Sequence, residues 1–314
     1  MNRLIVIVGP TAVGKSALAL QLAQRLGGEI VSGDSMCVYR GMDIGTAKPS
    51  REERNLAPHH LIDIKDPVEP FSVVEFQQLA NEAISQINQR GKLPVLVGGT
   101  GLYIQALLEG YQFSPTGKTP LRTVLAPNEN SVAAQNGVLT EKLYQQLAEL
   151  DPVTAARIHP NDHKRIVRAL EVAMTENRSL SKSKSNSLQY DCLVFGLTMD
   201  REELYRRIEQ RVDTMVEQGL MAEVAGLLDQ GLASDATALQ AIGYKEFVAC
   251  IRDNLSPETA ISLIKQSSRR YAKRQLTWFR RMPYLEWIDH TAAGDVESAL
   301  TTIIRRVAEK FTIK

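Results

Sequence analysis

Leu4-Ile5-Val6-Ile7-Val8-Gly9-Pro10-Thr11-Ala12-Val13-Gly14-Lys15-Ser16 decides the fold. The apolar run reads as a buried strand, and the segment after it matches Gly-x-x-x-x-Gly-Lys-Ser/Thr, the loop that turns backbone amides toward a phosphate. Downstream, Ala19, Leu22, Ala23 and Leu26 recur at i, i+3, i+4 and i+7 before Gly27-Gly28, so the loop opens an amphipathic helix. A chance glycine turn would need neither neighbour. Gly9 and Gly14 permit the backbone path, and the helix N-terminus adds partial positive charge. Lys15 reaches the terminal phosphates, and the Ser16 hydroxyl can ligate Mg²⁺. Gly9, Pro10, Thr11, Ala12, Val13, Gly14, Lys15 and Ser16 together form the candidate phosphate cradle.

Further apolar runs at 29–31, 61–64, 94–97 and 192–197 alternate with helical patterns. The fold class this implies is α/β, a P-loop NTPase-like parallel sheet with flanking helices. Residues 114–187 differ in character: a stretch rich in Pro, Gly, Asn, Ser and Thr, helical patterns at 143–150 and 165–174, then a Ser/Lys run. The expected organisation is a first part of the core (1–113), an inserted and mainly helical subdomain (114–187), and a second part of the core with basic C-terminal helices (188–314). That last part reads as helices at 201–218 and 222–230 and a long one from Ser256-Pro257-Glu258, where Ser caps and Pro takes the first turn.

Composition excludes several classes. With 314 residues, 44% hydrophobic and 23% charged, the chain is an ordinary globular protein. Its net charge of +1 gives no global pull on nucleic acid, so such a partner needs a local basic surface. No stretch approaches the ~20 apolar residues of a membrane span, and 4–8 is too short for a secretory signal. Cys37, Cys192 and Cys250 are odd in number and dispersed, which points to a reducing cytoplasm and away from a disulfide framework or a zinc site. A cytoplasmic monomer without membrane contact is the expectation.

Most P-loop NTPases hold Mg²⁺ partly through an aspartate that ends another strand. The 94–97 strand ends in Gly98-Gly99-Thr100-Gly101, with no carboxylate. The 29–31 strand leads to Gly33-Asp34-Ser35, so Asp34 is a metal-associated residue, a general base, or a simple turn former. Thr100 could donate to a phosphate oxygen from a turn whose glycines allow close approach, although glycine turns after strands also occur without function. The pairs His59-His60 and His159/His163 lack the Glu of a metal-binding helix motif and are set aside as metal ligands.

The long C-terminal helix carries Lys265, Arg269, Arg270, Lys273, Arg274, Arg280 and Arg281. At 100° per residue Arg270, Lys273, Arg274, Thr277 and Arg281 share one face, and acidic i,i+4 partners are missing within the run. A solvated face is the bland reading; an uncompensated basic stripe is also the electrostatic footprint of nucleic acid. Lys164, Arg165 and Arg168 form a second, weaker cluster in the insertion.

Together, the phosphate loop, the block Asp34-Ser35-Met36-Cys37-Val38-Tyr39-Arg40-Gly41-Met42-Asp43-Ile44-Gly45-Thr46-Ala47-Lys48, Gly98-Gly99-Thr100-Gly101-Leu102-Tyr103, Arg157-Ile158-His159-Pro160-Asn161-Asp162, Ala241-Ile242-Gly243-Tyr244-Lys245-Glu246 and Arg270-Tyr271-Ala272-Lys273-Arg274-Gln275-Leu276-Thr277-Trp278-Phe279 resemble the tRNA isopentenyltransferase (tRNA dimethylallyltransferase) family. The blocks run in order over nearly the whole chain. The resemblance implies transfer of a dimethylallyl group from dimethylallyl diphosphate to the exocyclic amine of the adenosine 3′ of the anticodon, with Mg²⁺ as cofactor. It implies that the loop holds the leaving diphosphate, that Lys15, Ser16 with its metal, and Thr100 stabilise developing charge, and that Asp34 takes the amine proton. Arg211 would add a positive charge, with helix-surface salt bridging an equal explanation.

Because a stacked adenine cannot reach such a pocket, the base must flip into a channel between core and insertion. By resemblance Asp34, Ser35, Met36 and Cys37 read it, while Arg122, Lys164, Arg165, Arg168, Arg269, Arg270, Lys273 and Arg274 clamp the anticodon stem-loop. The family pattern has glutamine where this chain has Cys37, and a thiol replaces an amide poorly as a donor and acceptor, so discrimination among bases is the property this departure touches. Prenyl transfer to a free adenine nucleotide and a P-loop small-molecule kinase are the competing enzyme readings. A nonenzymatic RNA-binding protein would leave the phosphate loop idle.

Overall fold

A computed structural model describes residues 1–113, 137–176, 187–290 and 296–311. Two compact units divide the chain: 1–108 with 188–314, and 109–187. The first is built on six strands, β1 (Arg3–Val8), β2 (Glu29–Ser32), β3 (His59–His60), β4 (Pro94–Gly98), β5 (Asp191–Thr198) and β6 (Leu285–Asp289). They lie in the order β3-β2-β4-β1-β5-β6, and every pairing is parallel. A parallel sheet needs cover on both faces, which is why β1 is a continuous apolar run. Leu4, Val6 and Val8 belong to one core cluster, and Ile5 and Ile7 to the other.

The described helices of this unit are α1 (Lys15–Leu26), α2 (Arg51–Leu56), α3 (Val73–Gln89) and α4 (Gly101–Glu109), the last running one residue past the boundary. In the second unit α5 (Gly137–Leu150), α6 (Pro152–Ala155) and α7 (His163–Glu176) pack around Leu143, Leu147, Ile166 and Leu170. The first unit resumes with α8 (Arg201–Glu217), α9 (Leu220–Asp229), α10 (Tyr244–Asp253), α11 (Pro257–Phe279) and α12 (Val296–Phe311). One sheet face is covered by Leu18, Ala19 and Leu22 of α1 with Leu300, Ile303 and Val307 of α12. Phe76, Ile84 and Ile87 of α3 cover the other. Because β2, β4 and β1 are neighbours and parallel, the loops after all three emerge at one edge of the sheet, so the phosphate loop, Asp34 and Thr100 converge.

Two expectations fail. The third strand is His59–His60, paired with Ile30 and Val31, and 61–64 is not strand. Leu61 and Asp63 adopt positive φ of 63° and 56°, which ends extended pairing, and the Asp63 carboxylate is bound by Lys48 and Arg54. The sixth strand, Leu285–Asp289, was not read from the sequence; it is a short edge strand, only partly buried, with charged residues interleaved.

Candidate active site

The phosphate loop has the backbone its sequence demands. Gly9 (φ 150°) lies against the Leu197 carbonyl, where a Cβ would come within 2.7 Å, and Gly14 (φ 97°) caps α1 in the left-handed region. Ala12 also takes a positive φ, 65°, a conformation alanine adopts only where its surroundings impose it. No side chain caps α1 and its first turn holds no acid, so its leading amides stay available to an anion. Lys15 Nζ folds back to the Pro10 carbonyl at 2.6 Å. Burial, reinforced by the Arg211 charge and opposed by Asp34, lowers its pKa to about 7.

Asp34 is both turn former and free carboxylate. Its Oδ1 accepts the Met36 amide at 2.7 Å and the Cys37 amide at 3.2 Å, leaving Oδ2 without a hydrogen bond among the described residues. Its charge is felt by Lys15, Arg211 and Tyr271 alike, which places it among the cations of the loop. Thr100 Oγ1 accepts the Ser35 amide at 3.3 Å and lies 3.4 Å from the Ser35 hydroxyl, tying the β4 turn to the Asp34 loop. Arg211 makes no ion pair among the described residues, and burial lowers its pKa. The helix-surface salt bridge that was an equal explanation for Arg211 is not formed among the described residues.

Two adjoining cavities meet here. The smaller, about 100 Å³, is lined by Lys15, Ser16, Gly98 and Gly99. The larger, about 360 Å³, has an apolar wall from Ile208, Val212, Met215, Ile242 and Ile264. Thr11, Asp34, Thr46, Arg211 and Tyr271 line both. A polar, cation-bearing compartment thus opens into a part-apolar one with a carboxylate on their boundary, a geometry that suits an anionic leaving group and an acceptor that must lose a proton. Among the described residues no cluster of three His, Cys, Asp or Glu forms a metal cage. Ser16, exposed in the smaller cavity, is the hard oxygen donor that fits Mg²⁺ shared with substrate phosphates.

Cys37 is 6% exposed, its thiol directed to the Thr46 carbonyl and its pKa raised by burial. It lines the smaller cavity, whereas Ser35 and Met36 line the larger. In the basic stretch of α11 Arg270, Lys273, Arg274 and Thr277 are exposed, as the helical period gave, and Arg280 and Arg281 just past its end are exposed as well. Arg269 lies off that stripe and its guanidinium is held by Glu209 at 2.6 Å, as Lys265 is by Asp213, so α8 supplies acidic partners that the basic run itself lacks. In the second unit Lys164 is exposed, while Arg165 pairs with Asp162 at 3.3 Å and Arg168 with Glu171 at 3.2 Å. Arg122 lies outside the described residues.

Sequence reasoning missed three structural supports of the site. Gln275 and Tyr271, on the inner side of the basic helix, reach the Gly99 carbonyl at 2.9 and 3.5 Å. Glu223 takes the consecutive amides of Asp43, Ile44 and Gly45 at 2.9, 2.8 and 3.2 Å and the Tyr244 hydroxyl at 2.5 Å, fixing the loop that lines the larger cavity. The i, i+4, i+7 spacing of Ile208, Val212 and Met215 beside Arg211 was a legible signal for the apolar wall.

A parallel sheet whose first strand runs into a P-loop, with a carboxylate and a hydroxyl converging from adjacent strands, defines a phosphate-handling enzyme core of the P-loop class. The family model described as IPP transferase matches residues 37–282, and the isopentenyl transferase model matches 2–65. The chain belongs to the IPP transferase family. It is 49% identical over 318 residues to a tRNA dimethylallyltransferase of Geobacillus kaustophilus, covering 100% of this chain and 98% of that one. It is also similar to the crystal structure of a full-length tRNA isopentenylpyrophosphate transferase from Bacillus halodurans, at 46% identity, TM-score 0.73 and 99% of both chains. A eukaryotic dimethylallyltransferase, captured in crystallographic snapshots acting on tRNA, aligns at 30% identity and TM-score 0.83 over 99% of this chain and 80% of that one.

Proposed function

We propose that this protein transfers a dimethylallyl group from dimethylallyl diphosphate to the exocyclic amine of the adenosine 3′ of the anticodon in tRNA. The observation that carries the reading is Asp34, whose carboxylate stands on the boundary between the cation-lined small cavity and the larger one. The phosphate loop, Lys15 and Arg211 hold the diphosphate, and the apolar wall of α8 receives the prenyl tail. The amine nitrogen bonds to the allylic carbon as its C–O bond to the diphosphate breaks. The N–H proton passes to Asp34, whose loop is already anchored through Oδ1. Lys15, Arg211 and the Thr100 hydroxyl meet the charge that develops on the leaving oxygens. Ser16 would hold Mg²⁺ beside the diphosphate, and the ion would supply further charge neutralisation there.

Exposed Arg270, Lys273 and Arg274 provide phosphate-backbone contacts for RNA, to which Lys164, Arg165 and Arg168 of the second unit add. The kinase reading is disfavoured because β4, the strand beside β1, ends in glycines where such enzymes place an aspartate. The test is product formation from labelled dimethylallyl diphosphate with unmodified tRNA, free AMP, or ATP alone. Label on tRNA alone is expected. Label on AMP supports the free-nucleotide reading, and ATP turnover without prenyl transfer supports the kinase.

A further inference from the structure

Helix α11 has two unlike faces within one turn. Lys273 and Arg274 are exposed, whereas Gln275 is 5% exposed and turned into the sheet edge. Its amide uses both ends. Oε1 accepts the Thr11 amide of the phosphate loop at 2.8 Å, and Nε2 donates to the Gly99 carbonyl of the β4 turn at 2.9 Å. The neighbouring residues are shaped for this contact. A Cβ on Gly99 would overlap the Gln275 amide, and one on Gly101 would come within 2.5 Å of the Trp278 ring of the same helix. Tyr271, one turn earlier, adds its hydroxyl to the Gly99 carbonyl at 3.5 Å, and Arg274 sits over the Tyr271 ring at 5.7 Å.

From this geometry we infer that Gln275 is a positioning residue: it locks the phosphate loop and the Thr100 turn to the helix whose outer face carries the cations, so that diphosphate cradle, Thr100 and RNA-facing surface move as one element. The inference rests on the prenyl-transfer reading for its RNA partner, but not for its effect on the cradle. By taking the Thr11 N–H, Gln275 also fixes the orientation of that peptide, and with it which loop amides remain for the anion. Gln is the side chain this requires, since one group must accept and another donate. Leucine supplies neither, and a carboxylate keeps the acceptor but faces the Gly99 carbonyl with a second acceptor.

The experiment compares wild type with Gln275→Leu and Gln275→Glu in the full-length protein. Inorganic diphosphate affinity is measured by calorimetry, anticodon stem-loop affinity by anisotropy, and donor KM and kcat with tRNA. Gln275→Leu is expected to weaken diphosphate binding and raise the donor KM about tenfold or more, while stem-loop affinity stays within about twofold, because the hydrogen bonds to Thr11 of the cradle and Gly99 of the β4 turn are lost and no RNA contact is. Gln275→Glu, retaining the Thr11 bond, is expected to depress kcat more than it raises KM. Diphosphate affinity and both kinetic constants within about twofold of wild type in both variants would overturn the assignment. So would a uniform loss of stability and RNA affinity with an unchanged donor KM, the signature of a merely structural glutamine. If wild type failed to prenylate tRNA, the proposed function would fall, yet diphosphate affinity would still report on Gln275.

Discussion

Raising the pH is expected to weaken diphosphate binding through Lys15. In the ligand-free protein burial, helped by Arg211 and opposed by Asp34, brings its pKa from 10.5 to about 7. A diphosphate in the small cavity places negative charge beside Nζ and restores ordinary lysine basicity. Binding at about pH 8 therefore takes up about 0.9 proton, since a group of pKa about 7 is then roughly nine-tenths deprotonated. The protonated form is the binding form, so affinity falls about tenfold per pH unit above about 7, until the pH nears the pKa of the bound state. Calorimetry with inorganic diphosphate in two buffers of different ionisation enthalpy reads the uptake directly, once the titration of the ligand alone is subtracted. Lys15→Arg, whose guanidinium stays charged, is the control and is expected to take up almost none. An uptake below about 0.2 proton in the wild type, or an affinity flat between about pH 7 and 9, would refute the reasoning.

Other substitutions probe the same site. Asp34→Asn keeps an Oδ1 for the Met36 and Cys37 amides but cannot accept the amine proton, so kcat is expected to fall at least ~100-fold with RNA affinity unchanged; single-turnover assays and anisotropy check this. Lys15→Met is expected to raise the melting temperature of the ligand-free protein at neutral pH while abolishing diphosphate binding. The sign follows from a lysine whose folded pKa is depressed: between about 7 and 10.5 the unfolded chain binds more protons, so that group's penalty fades as pH rises, and an apolar residue removes it altogether. Glu223→Ala, which frees the amides of Asp43, Ile44 and Gly45, is expected to cost about 1–3 kcal/mol of stability, read by urea denaturation, and to raise the KM for acceptor RNA. Cys37→Gln is expected to fold and to sharpen discrimination against RNA with another base at the modified position, read as a change in the kcat/KM ratio for the two RNAs.

The parts of this architecture that were legible in the sequence are those whose cause is local. The phosphate loop needs only its own glycines, lysine and helix, and the exposed stripe of α11 needs only the helical period. Asp34 stood out because it closes a buried strand. Its Oδ1 accepts two amides, as the turn-forming alternative expects, while Oδ2 has no hydrogen bond among the described residues and is available for the proposed catalytic use. What escaped was set by distant partners. The Gly98-Gly99-Thr100-Gly101 turn suggests room for a ligand. Gly98 instead lies against the Gly33 carbonyl, while Gly99 and Gly101 receive Gln275 and Trp278 of α11. That contact joins residues 176 positions apart, and no local pattern announces it. Arg269, in the same basic run, is paired for the same reason by a glutamate 60 positions away on α8.

The proposed reaction brings a diphosphate and an RNA, two polyanions of like sign, into one small volume, and the placement of charge in this chain suits that demand. The overall charge is only +1, so the cations work by location. Lys15 and Arg211 are desolvated inside the cavity, where screening is weak and each is worth most against a leaving group. Arg270, Lys273 and Arg274 are solvated on the outer face of α11, where they suit a flexible phosphate backbone. Asp34 stands among the inner cations and limits their mutual repulsion when the site is empty, while a Lys15 that can shed its proton limits it further. In the proposed reaction the same carboxylate is then available when the acceptor loses a proton. One short stretch of helix, from Tyr271 to Gln275, connects the two sets of charges, and its inner side chains are uncharged amide and phenol groups that bond to the loops without adding to either field.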